Sequence, residues 1–152
     1  MNRGNVFNNQ GRYDKAVADY ANAIELMESL RKILEPRSEW PPQMTNGLAA
    51  AYMNRGVAYK NQGRNDEAAA DYANAIELRE SLLFRASFYP VIPDLAMAFY
   101  NLLLLLKKEK PDKAGETASH ASVFLENLTD ISTLPESWKK ELNNLENLIE
   151  KQ

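Results

Sequence analysis

This 152-residue sequence predicts an all-α fold, a right-handed superhelical array of antiparallel helical hairpins closed by a C-terminal capping helix. Residues 1–30 and 53–82 are identical at 22 of 30 positions, at an offset of 52, and such periodicity marks stacked supersecondary units. Within each copy, small and apolar residues recur at spacings of three and four, the period of one helix face. With 45% apolar and 26% charged residues and a net charge of −3, the composition excludes wholesale disorder.

The first copy opens on a helix carrying Gly4 and Phe7, turns at Gly11, and continues into a helix striped by Ala16, Tyr20 and Ala23. The segment 35–42 contains Pro36, Pro41 and Pro42 and cannot continue that helix, because proline lacks the amide and clashes with the preceding turn. In the second copy Tyr52, Gly56 and Tyr59 line one helix, Gly63 supplies a left-handed stop, and Ala68, Tyr72, Ala75 and Ile76 line the next. Small residues facing aromatics let the two helices interlock. Arg3 and Arg55 recur with the unit, as do Arg12 and Arg64, which points to a structural task such as pairing with a carboxylate on the next helix. Trp40 is expected to pack over the hairpin.

Pro90 and Pro93 break the chain before a fainter third copy, in which residues 95–101 echo 48–54 and residues 111–114 echo 65–68. Leu103 replaces the helix glycine there. A last helix is expected near Pro135, with Trp138, Leu142, Leu145, Leu148 and Ile149 on its apolar face. The organisation read from these signals is one domain over 1–152. Repeat 1 covers about 1–34, truncated at its start, and repeat 2 about 46–84. A degenerate repeat 3 covers about 93–128, and the cap about 134–150.

The series Tyr52, Gly56, Tyr59, Gly63, Ala68, Tyr72 and Ala75 resembles the tetratricopeptide repeat family, whose consensus sets these residue types in this order. The first copy matches except for the leading aromatic. The units exceed the family's usual length of about 34 residues, and in this they resemble its extended variants. The resemblance implies a binding scaffold whose first helices line a concave groove for a peptide or protein.

One feature of this chain suits such a groove. Asn2, Asn54 and Asn101 each stand two residues before the helix glycine or its leucine replacement. A side-chain amide offers both donor and acceptor, which an extended peptide backbone requires. Asn5, Asn9, Lys60, Asn61 and Lys108 are further groove candidates one or two turns on. The ladder resembles that of O-linked N-acetylglucosamine transferases. The family's carboxylate clamp is largely missing, with Met1, Met97 and Asn101 where basic residues would stand.

Other functions find little support. With no cysteine and one histidine, His120, there is no disulfide, no thiol nucleophile and no ordinary Cys/His zinc site. The six glycines are scattered by the repeat rather than gathered into a phosphate loop. Asp19 and Asp71, like Glu25 and Glu77, recur with the unit, whereas chemistry seldom needs the same acid in every unit. No enzyme activity, cofactor or metal is therefore expected. The acidic balance carries no footprint for nucleic acid. Residues 1–10 are polar and unlike a signal peptide, and the apolar stretch 96–106 is about half the roughly twenty residues of a membrane span. The expected compartment is the cytoplasm and the expected partner a protein or peptide. The alternatives are self-assembly through an edge left open around Phe7, Val17 and Tyr20, or a fragment of a longer array.

Overall fold

The computed structural model describes residues 2–128 and 133–151. These residues form seven α-helices and no strand: α1 (Asn2–Asn9), α2 (Tyr13–Leu34), α3 (Pro42–Asn61), α4 (Asn65–Ala86), α5 (Ile92–Glu109), α6 (Pro111–Glu126) and α7 (Glu136–Glu150). The sequence reads as one array over 1–152, but the chain gathers into two compact units, Met1–Phe88 and Tyr89–Gln152.

The first unit holds the α1–α2 and α3–α4 hairpins, with α2 also packed on α3. Both hairpin turns are built alike. Gly11 and Gly63 have φ of +72° and +75°, a conformation that costs other L-residues roughly 1–2 kcal/mol. Past them the Arg12 and Arg64 amides donate back to Phe7 and Tyr59 at 2.8 and 2.9 Å. Gly4 and Gly56 serve a different need. A Cβ on either would stand 2.8 or 2.7 Å from the ring of Tyr20 or Tyr72, so each glycine admits an aromatic from the next helix. Tyr20 is fully buried in a cluster with Ala16 and Ala58, flanked by Phe7 and Val17, and Ala58 thereby ties the second hairpin to the first.

The expected arginine–carboxylate pairing is present in both copies. Arg3 donates twice to Asp19 at 2.7 Å, and Arg55 twice to Asp71 at 2.8 Å. Arg12 and Arg64 lie over the rings of Phe7 and Tyr59, at 4.7 and 4.4 Å, and Arg64 also pairs with the Glu67 carboxylate in the first turn of α4. The helix of the second copy begins at Pro42, earlier than the expected 46, because a first-turn proline gives up only an amide the helix would not use. Trp40 is half-buried just before it, and its indole donates to Thr45 Oγ1 at 2.7 Å.

In the second unit α5 packs against α6 and α7. The helix glycine and facing tyrosine of the earlier copies are exchanged here for Leu103 and Ala118, both buried, so bulk moves from one helix to the other. Pro135 precedes α7 in an extended conformation rather than occupying its first turn. Leu142 and Leu145 are buried, and Lys107 donates to the Leu148 carbonyl at 2.7 Å near the C-terminal end of α7, where a cation meets the helix dipole favourably. The stretch Tyr89–Glu109 reaches 21 residues and contains an 18-residue window with a mean hydropathy of 1.5, enough by length and composition to cross a membrane and longer than the run expected at 96–106. Its Leu95, Ala98, Phe99 and Leu103 are wholly buried.

Candidate functional site

The asparagine candidates fall on both units. Asn5 and Asn9 are exposed on α1, while Asn54 is half-buried and Lys60 and Asn61 are exposed on α3. Asn101, half-buried, and Lys108, exposed, belong to α5 in the second unit. Asn2 begins α1, but its side chain lies outside the described residues.

Within the first unit an amide contact joins α1 to α3: Asn61 Nδ2 donates to Asn8 Oδ1 at 3.4 Å. Asn8 occupies the place of Lys60 one repeat earlier, so the offset of 52 could have found it. The side chain of Gln62 also reaches the first hairpin, donating to the Asp14 carboxylate. Asn5 has a second task. Its Oδ1 accepts from the Tyr20 hydroxyl, which anchors a core aromatic and commits one of the two polar atoms a peptide would meet.

No motif pointed to a cleft of about 400 Å³ on the first unit, lined by Glu28 and Arg31 of α2, Tyr52 of α3, and Glu77, Ser81 and Arg85 of α4, among others. Tyr52 donates to Glu28 Oε1 at 3.0 Å. Burial, reinforced by that hydrogen bond, pushes the Tyr52 hydroxyl up to about 12. Arg31 pairs with Glu35 at 3.3 Å while its Nε is buried without a hydrogen-bond partner. The convergence of Glu28 and Ser81 depends on the packing of three helices.

The remaining candidates have structural surroundings. His120 is exposed on α6, its ring set edge-on to Phe99 at 5.0 Å. Among the described residues, no group of three or more His, Cys, Asp or Glu could hold a metal ion. The expected open edge around Phe7, Val17 and Tyr20 is corrected: Tyr20 is buried and the other two are partly covered in its cluster. Exposed apolar side chains in the first hairpin are instead Val6, Leu26, Leu30 and Ile33.

Two tetratricopeptide repeat family models match the chain, over residues 1–32 and 49–82, which are the two hairpins of the first unit. The chain is a tetratricopeptide repeat protein. Its helices of 20 and 22 residues in the second hairpin make it an extended form of that repeat. No curated protein and no solved structure gives a significant match. Tetratricopeptide repeats are in general protein-interaction modules, and typically non-catalytic ones.

Proposed function

We propose that this tetratricopeptide repeat protein is a non-catalytic scaffold, which binds a peptide or protein segment along the α1–α3 face of its first unit. The observation that carries the reading is the Asn8–Asn61 contact, which brings amides of successive first helices together beside exposed Asn9 and Lys60. Amides at this spacing suit the alternating donors and acceptors of an extended backbone. Asn54 extends the candidate set within the first unit by repetition, and a cytoplasmic setting belongs to the same reading.

The mixed-charge cleft supports a second reading, in which Arg31, Arg85, Glu28 and Glu77 hold a peptide carrying both charges. One experiment separates the two. Peptides selected from a random display library on the full chain are re-titrated against N54A/N61A and against S81W, which fills the cleft. The first reading expects at least a tenfold loss with the asparagine variant and little change with S81W. Loss confined to S81W moves the site to the cleft. Equal binding to all three proteins removes both surfaces.

A further inference from the structure

The cleft of the first unit has an acidic end and a basic end, and three side chains of α4 mark its length. Glu77, Ser81 and Arg85 line it at four-residue intervals, a single row on the helix. At 1.5 Å per residue the row spans about 12 Å, with the carboxylate and the guanidinium at its ends and the hydroxyl midway. Among the described residues none of these three side chains has a hydrogen-bond or ion-pair partner.

The opposite wall, from α2, has the same polarity. Tyr52 meets Glu28 while Ala58 packs with Tyr20, so α2 runs antiparallel to α3. Past the Gly63 turn α4 also runs back along α3, and the two walls are therefore parallel. On each wall glutamate precedes arginine: Glu28 before Arg31, Glu77 before Arg85. Arg31, Ser81 and Arg85 also line an adjoining hollow that Glu28 and Glu77 do not reach, which separates the two ends. Arg31 donates to Glu35 through Nη2 at 3.3 Å, one of the five N–H donors of a guanidinium. Between the ends lie buried Leu78 and the Phe84 ring, the latter 53% exposed.

We propose that this cleft holds a free peptide of about three residues by its two charged ends, with the ammonium at Glu28 and Glu77 and the carboxylate at Arg31 and Arg85. The inference rests on the cleft, rather than the asparagine face, being a binding site. Three extended residues span about 10 Å, which matches the row on α4 once side chains reach inward from both ends. The cleft volume of about 400 Å³ is that of a small-ligand site. Ser81 then meets the backbone of the middle residue, whose apolar side chain lies against Leu78 and Phe84. A longer segment offering lysine and aspartate side chains is a poorer occupant. It carries both charges on flexible stems, whose ordering costs entropy that two chain ends do not lose.

The test is calorimetric titration of the full chain with alanyl-leucyl-alanine, with its N-acetyl and C-amide forms, and with a doubly blocked peptide carrying internal lysine and aspartate. Saturable binding of the free tripeptide is expected, weakened at least tenfold by either block. E77Q should shrink the effect of acetylation and leave that of amidation, and R85Q should do the reverse. Both residues are exposed, so thermal melts of the variants should match the parent. Equal binding of free and blocked tripeptides, binding that S81W leaves intact, or no saturable binding overturns the inference. So does binding of the lysine–aspartate peptide alone, an outcome that leaves the cleft as the site. Failure of the cleft itself shows separately, when display-selected peptides bind S81W as they bind the parent.

Discussion

In the second hairpin Arg55 and Asp71 have side chains 19% and 4% exposed; in the first, Arg3 and Asp19 form the same forked pair with the arginine 75% exposed. Identical residues at matching separation and near-identical distances therefore work in different solvents. Water screens the first pair, and a screened ion pair contributes little. The second pair has lost most of its water, so each partner depends on the other. Position in the array, rather than residue identity, decides what the repeated residues contribute.

The sharpest way to break this comparison is to remove the two carboxylates separately. Asp71→Ala should cost about 3 kcal/mol, since it strands a largely buried guanidinium, whereas Asp19→Ala should leave the thermal midpoint almost unmoved. Equal losses in urea melts would mean that the two hairpins are energetically equivalent. Gly56→Ala comes next. Its methyl would press on the buried Tyr72 ring and stand 3.3 Å from the Ala68 carbonyl, and the overpacking, less the gain in helix propensity, should cost about 1–2 kcal/mol. Gly4→Ala has atoms of the Tyr20 ring as its three nearest neighbours and no carbonyl among them, and should cost less in the same melts.

A smaller effect probes the linker that gives the second hairpin its longer first helix. Thr45→Val removes the acceptor of the Trp40 indole and should cost about 1 kcal/mol, with the tryptophan emission shifting to the red. The last prediction shows only in alkali. Burial raises both Tyr52 and Tyr72 to about 12, above the ordinary tyrosine value of about 10. The folded chain then holds protons that the unfolded chain has released. Stability should be intact below pH 10 and fall between pH 10 and 12. Absorbance near 295 nm should report late ionisation of these two tyrosines, and ordinary titration of both would remove the second hairpin's claim to a drier interior.

Much of the first hairpin's chemistry was legible because it is local. Gly11 and Gly63 mark turns by a backbone requirement of their own, and the recurrence of Arg3 and Arg55 with the unit points to a carboxylate on the next helix, which the fold identifies as Asp19 and Asp71. The open edge was misplaced at Phe7, Val17 and Tyr20 because amphipathic spacing shows which face is apolar without showing what stands opposite it. Its position one turn along from Asn2 suits Asn5 to a groove, yet its amide oxygen meets the Tyr20 hydroxyl, a contact between residues fifteen apart that no period encodes.

By itself the sequence determined the helices, their turns, the repeat and its family, because periodicity, glycine conformation and proline exclusion act over a few residues. Only the tertiary structure decided that Leu26 faces solvent while Leu78 does not, that Glu28 and Ser81 share a cleft, and that the chain gathers into two units. Burial is set by whatever helix lies across the register, and that neighbour is chosen by packing between segments far apart in the chain.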